Sequence, residues 1–261
     1  MTTQNGQMRR VFHPKYAVTV IIGLLAPVIT CHVNAEIRWI STTCELGVIK
    51  EEEGKVEGKF EFVNESEYPT FLTEVRPSCG CTVAQYSNSV IEPGDTAVIS
   101  FVFNPAGRPG TINKSIRVGV ESERRAFNLK IDGKVKASEP TLEFRYPYDK
   151  NGLRFDTSTL LAGEIPRRAK RVFVMDSYNN SADTIFFVKK ELPETIKIEY
   201  EKDFLEPWER GEISVLYNSA VEEEEGIKRY KLPLTFKKGN EGEEEVYEFN
   251  FIADVKPVGD Y

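Results

Sequence analysis

The sequence predicts an all-β protein: two β-sandwich domains in tandem behind an export signal. Three observations predict it. Apolar and polar residues alternate with period two along most of the chain, as in Val56-Glu57-Gly58-Lys59-Phe60-Glu61-Phe62, and helical periodicity is scarce. Turn chemistry such as Glu92-Pro93-Gly94-Asp95 separates the alternating runs at short, regular intervals. The two halves also resemble each other. Ile91 to Asn104 aligns without a gap on Leu205 to Asn218, sharing a Glu-Pro pair, an Ile-Ser pair and the final Asn.

The chain of 261 residues opens with a stretch unlike the rest. Arg9, Arg10 and Lys15 precede an uncharged apolar run, Ala17 to Thr30, and Val33-Asn34-Ala35 follows with small residues at the positions a signal peptidase reads. Residues 1–35 are therefore expected to be a signal peptide cleaved after Ala35, giving an exported protein, periplasmic or on the cell surface, with no membrane span after cleavage. Two alternatives stay open. Cys31 follows Val28-Ile29-Thr30, a loose lipoprotein match. An uncleaved anchor from Tyr16 to Val33 would be barely long enough to span, and Pro27 interrupts it.

Cleavage removes three positive charges and no negative ones, taking the net charge from −7 to −10. Such acidity argues against nucleic acid as a partner. Cleavage also removes both histidines, His13 and His32. That excludes Ser-His-Asp and Cys-His catalysis and histidine-ligated zinc. No carboxylate pair can be nominated, so neither a catalytic residue nor a cofactor is expected.

Residues 36–137 form the first expected domain. Its strand signals are Val56 to Phe62, Ala97 to Phe103, Ile116 to Val120 and Phe127 to Ile131. A linker is expected near Lys136 to Pro140. Residues 138–261 form the second domain, with runs at Arg171–Met175, Thr184–Val188, Ile196–Tyr200, Ile213–Tyr217, Tyr230–Phe236 and Tyr247–Val255. The acidic runs Glu222–Glu225 and Glu241–Glu245 read as solvated hairpin loops. Each half has the size of one immunoglobulin-like sandwich.

The most distinctive local feature is the bend Arg76-Pro77-Ser78-Cys79-Gly80-Cys81-Thr82. It lies between Leu46-Gly47-Val48-Ile49 and Phe60-Glu61-Phe62-Val63-Asn64 on one side, and Ile91-Glu92-Pro93-Gly94, Gly107-Arg108-Pro109-Gly110 and Gly133-Lys134-Val135 on the other. In this order the segments resemble an uncharacterised family of exported bacterial immunoglobulin-like domains common in the Bacteroidetes, a domain of unknown function. That family is similar to the ASH, major-sperm-protein and PapD-like sandwiches. The resemblance covers about Cys44 to Lys136 and implies the fold and a cell-envelope location, not an activity. The second half lacks the Cys-Gly-Cys bend.

Removal of the leader leaves Cys44, Cys79 and Cys81, an odd count. A disulfide can join Cys44 to either partner, or Cys79 to Cys81 across a very short ring. Alternatively, Cys79 and Cys81 suit a soft metal, Cu(I) or Zn(II), but two thiolates are too few for a closed zinc site. Arg76 and Arg108 are candidate anion contacts, though solvated loop arginines are commoner. Trp39 and Trp208 read as packing or as part of a recognition patch. The chain is therefore expected to be a non-catalytic binding or scaffolding module with a protein or glycan partner in the envelope. The alternatives are a metal- or thiol-handling protein using Cys79 and Cys81, and a PapD-like periplasmic chaperone.

Overall fold

A computed structural model describes residues 37–86 and 89–257. The expected leader, its cleavage at Ala35 and Cys31 lie outside the described residues. Among the described residues no helix is long and apolar enough to cross a membrane.

Eight strands build the first sandwich: β1 (Ile37–Trp39), β2 (Thr43–Lys50), β3 (Val56–Asn64), β4 (Leu72–Pro77), β5 (Thr82–Tyr86), β6 (Thr96–Phe103), β7 (Gly110–Val120) and β8 (Phe127–Lys136). One sheet has the order β1-β3-β6-β5 and the other β2-β8-β7-β4. The predicted alternation sets which side chains meet. Phe60, Phe62, Ile99, Phe101 and Phe103 from one sheet pack on Ile116, Val118, Leu129 and Ile131 from the other in one core. Trp39 belongs to this core, against Phe62 and Phe127.

A short helix, α1 (Glu139–Arg145), leads into the second sandwich. Its strands are β9 (Tyr148–Lys150), β10 (Leu153–Phe155), β11 (Thr159–Pro166), β12 (Lys170–Asn179), β13 (Ile185–Val188), β14 (Ile196–Tyr200), β15 (Phe204–Leu205), β16 (Arg210–Asn218), β17 (Gly226–Lys238) and β18 (Glu244–Lys256). The sheets run β14-β16-β12-β10-β9 and β11-β18-β17-β13-β15. Apart from the additions β9 and β15, this is the connectivity of the first sandwich. The likeness extends to register. Ile37 pairs with Asn64, and Leu153 pairs with Asn179. In both sandwiches the second strand joins the last in parallel, with a bulge beside a positive-φ glycine, Gly47 or Gly163.

One buried side chain organises the same corner of each sandwich. Asn64 is fully buried. Its Nδ2 donates to the carbonyls of Tyr68 and Ile91, and its Oδ1 accepts from the amide and hydroxyl of Ser66. Asn179 repeats this, donating to Asp183, Leu205 and Glu206 and accepting from Ser181. The backbone of each Asn also bonds the repeated turn: Asn64 to Gly94 and Asp95, Asn179 to Trp208 and Glu209. Every hydrogen-bonding valence of the amide is thus used, which is what a buried amide requires.

The expected linker is instead a packed junction. Ala137, Leu142, Tyr146 and Tyr178 form a small core of their own, with Trp208 against it. Tyr178 accepts at its hydroxyl from the Ala137 amide (2.9 Å) and stacks on Tyr146 at 5.4 Å. Lys136 lies over the Trp208 ring, 4.4 Å from its centroid. Trp208 has φ of 60° where the equivalent turn of the first sandwich has Gly94, so this left-handed backbone is held by the packing of its ring.

Glu51, just after β2, anchors the junction from the first sandwich. Its carboxylate accepts from the Ser138 amide and hydroxyl, the Thr141 hydroxyl and the Gly107 amide. Burial alone would raise its pKa, but the bonds from Ser138, Gly107 and Thr141 outweigh burial and lower it.

A second expectation also needs correction. Glu222 is not a solvated loop residue. It is buried, and its carboxylate accepts from Tyr217 (2.7 Å) and Tyr230 (2.5 Å). Two phenols that need an acceptor hold it inside; Glu223 to Glu225 stay exposed.

Two outcomes follow from these bonds. Asn64→Leu and Asn179→Leu each strand several buried polar groups, so each should cost about 3 kcal/mol in urea-unfolding experiments. Glu51→Gln should cost about 1 kcal/mol at pH 7, discounted for its partial exposure. The folded-state pKa of Glu51 lies below the unfolded one. Its contribution is therefore complete above about pH 4.3 and is lost as pH falls through the folded value. The gap between wild type and Glu51→Gln should narrow below about pH 4.

Candidate functional site

The Cys-Gly-Cys bend connects β4 to β5. Backbone bonds fix it from three sides: Ser78 N to Ser115 O on β7, Thr82 N to Cys79 O within the bend, and Asn104 N to Cys81 O at the end of β6. Cys79 and Cys81 are joined in a disulfide with Cα atoms 5.3 Å apart. Their sulfurs are bonded to each other and offer no thiolate, so in this state the metal-ligand reading of Cys79 and Cys81 gives way to a bridge. Among the described residues no group of three or more His, Cys, Asp or Glu side chains could hold a metal.

Cys44 remains a free thiol. The sheet order explains why neither pairing with Cys44 forms. Cys44 is on β2, at the opposite edge of the sheet from β4. Three strand spacings of about 4.8 Å put the two edges roughly 14 Å apart, beyond the ~7 Å reach of a disulfide. Burial, then the neighbouring Glu45 charge, pushes the Cys44 pKa up, which keeps the thiol protonated and unreactive.

A bridge across a single residue removes little unfolded-state entropy, about 1.5 kcal/mol on the chain-entropy model. A bridge from Cys44 would have been worth about 3–4 kcal/mol. Stabilisation is a weak account of why both cysteines stand here.

The disulfide lines a cleft of about 600 Å³ between the loop 104–110 and the second sandwich. Four cationic side chains surround it: Arg108, Lys114, Arg145 and Arg210. Among the described residues no acidic one lines it. Arg108 is held by the Ala106 carbonyl (2.7 Å), and Arg145, at the end of α1, by the Gly107 carbonyl (2.9 Å). Arg210 on β16 pairs with Asp176 at 2.8 Å. Lys114 on β7 is half-buried and makes no ion pair among the described residues. Gly110 lets the sandwiches close up here: its φ is +103°, and a Cβ on it would stand 2.9 Å from Cγ of Arg210.

Thr82 completes the surroundings of the bridge. Its buried hydroxyl is 3.8 Å from Cys79 Sγ and 3.9 Å from Cys81 Sγ. Cys79 is half-exposed and Cys81 buried.

The sequence nominated Cys79, Cys81 and Arg108, and the structure brings these three together. Arg76 stays exposed on β4, opposite Arg117 and outside the cleft. Lys114, Arg145 and Arg210 were not foreseen. They come from two strands and a helix spread over both sandwiches, and no local motif marks them. Trp208 serves the junction rather than an exposed patch.

No curated protein matches the sequence. Solved structures similar to it include a protein of unknown function from Porphyromonas gingivalis W83, at 9% identity over 84% of this chain and 100% of that one, with a TM-score of 0.33. Another is the CupB2 chaperone of Pseudomonas aeruginosa, at 9% identity over 81% of this chain and 99% of that one, TM-score 0.29. A tandem pair of titin Ig domains is similar at 6% identity over 82% and 93%, TM-score 0.34. The first sandwich, residues 37–135, matches the model of a family described as a protein of unknown function (DUF1573).

Proposed function

We propose that this is an exported, non-catalytic cell-envelope binding module that takes a carboxylate-bearing ligand in the cleft between its two sandwiches. The observation that carries this reading is the cleft's charge. Four cations and, among the described residues, no acid line about 600 Å³ in a protein whose net charge is −7; of the four, Arg210 is paired, with Asp176 behind it. Like charges gathered against the general balance repel one another, and an anion bound among them relieves that repulsion. The volume is that of a site for a small ligand or one residue-sized group of a larger one. Carboxylates are the acidic groups shared by peptides and acidic glycans, so this chemistry serves either an envelope protein or a glycan as partner. The export part of the reading rests on the basic, apolar and small-residue order of residues 1–35.

Citrate is a suitable probe. Isothermal titration of the full chain in low-salt buffer should show binding that weakens in 0.5 M KCl. Arg108→Gln combined with Lys114→Gln should weaken it at least fivefold while leaving the unfolding midpoint nearly unchanged, since neither side chain is in a core. Absence of citrate binding, or equal binding by the double variant, would refute the cleft as an anion site.

A further inference from the structure

We infer that the Cys79–Cys81 bridge undergoes thiol–disulfide exchange, and that its reaction partner is a low-molecular-weight thiol bearing carboxylates, guided by the cations of the cleft. The inference rests on the anion-binding reading above and adds a reaction to it. Three features carry it together. The bridge lines the same cleft as Arg108, Lys114, Arg145 and Arg210. One of its sulfurs, Cys79 Sγ, belongs to a half-exposed residue, while Cys81 is 7% exposed. A hydroxyl, Thr82 Oγ1, stands within 3.9 Å of both sulfurs.

The accessible sulfur is the one attacked. A thiolate of the small thiol attacks Cys79 Sγ in line with the bridge. A bond forms between the two sulfurs, the Cys79–Cys81 bond breaks, and its electron pair leaves on Cys81 Sγ. The Thr82 hydroxyl can turn its proton toward that charge, and the cationic cleft stabilises it further. A second thiolate then attacks the small-thiol sulfur of the mixed disulfide and expels Cys79 as thiolate. Two small thiols have been oxidised to their disulfide, the bridge has been reduced to two cysteines, and protons re-equilibrate with water. The reverse sequence balances in the same way. Both attacks use a thiolate that carries other negative charges, which the cleft attracts and a neutral surface would not. Cys44 takes no part, being half-buried on the far edge of the sheet with its pKa raised by burial.

The test uses three thiols of different charge on the oxidised full chain carrying Cys44→Ser: 3-mercaptopropionate, 2-mercaptoethanol and cysteamine. Opening of the bridge is followed by acid quench, alkylation and mass spectrometry, with rates normalised to thiolate concentration. The anionic thiol should react at least fivefold faster than the neutral one, and the cationic thiol should react slowest. The preference should collapse in 1 M KCl and in the Arg108→Gln/Lys114→Gln variant. Rates for the anionic and neutral thiols within twofold of each other, or no opening by any of them, would overturn the inference. Citrate titration of the wild-type chain, run beside the exchange assay, separates the two readings. Citrate binding without charge-selective exchange retains the anion site and removes the exchange; absence of citrate binding removes the site itself.

Discussion

The carboxylate of Glu51 is the constraint on which the arrangement of the two sandwiches depends. It stands at the end of β2 in the first sandwich and is the acceptor for donors from the loop 104–110 and from the start of α1. Ser138 occupies the N-cap of α1 but makes no side-chain cap bond to the helix, so Glu51 satisfies the helix start from the turn after β2. This places Arg145 at the other end of α1, beside the loop that carries Arg108. Two cleft-forming elements, the loop 104–110 and α1, are thereby referred to one oxygen pair, and the small core of Leu142, Tyr146 and Tyr178 packs beside them.

The repeat shows how one architecture supports two roles. The asparagine corner is kept in both halves because a buried amide with all its partners tolerates no neighbour of different shape. The turn beside it is free to diverge. In the first sandwich it has Gly94, the residue at ease with positive φ; in the second it has Trp208, whose ring lies against Lys136. The bend from β4 to β5 diverges too, carrying the cysteines in the first half alone. Function-bearing differences therefore sit on the turns, while the registers of strands and bulges are retained.

Much of this was legible in the sequence. Alternation specified the strands and their buried faces, because a half-buried sheet leaves a period-two record. The Glu-Pro match exposed the repeat. Asn64 and Asn179 could have been found by carrying that match upstream to Asn64-Glu65-Ser66 and Asn179-Asn180-Ser181, where Asn and Ser recur. Other features left no such record. The Cys79–Cys81 pairing was one of several open connectivities, and sheet order decided it. Glu222 belonged to an acidic run, and the two phenols and Lys228 that face it made burial favourable. The linker was read as the join between the two repeats, near Lys136 to Pro140, yet a few apolar residues there suffice for a core. The cleft was least visible, since Lys114, Arg145 and Arg210 converge only after both sandwiches have formed.

The parallel strand at the edge of each sandwich bears on how the chain acquires its structure. β2 pairs with β8 and β11 with β18, so an early strand of each repeat must wait for the last one before its hydrogen bonds can close. Such closure is non-local, and it makes formation of each unit slow compared with a hairpin meander of the same size. The two closures lie in separate stretches of chain, so the first repeat can reach its final state while the second is still being made. Only then does Glu51 meet the residues after β8. The junction between the halves needs residues of both and so forms last, and the chain before α1 carries every strand of the first sandwich but only two of the cleft's four cations.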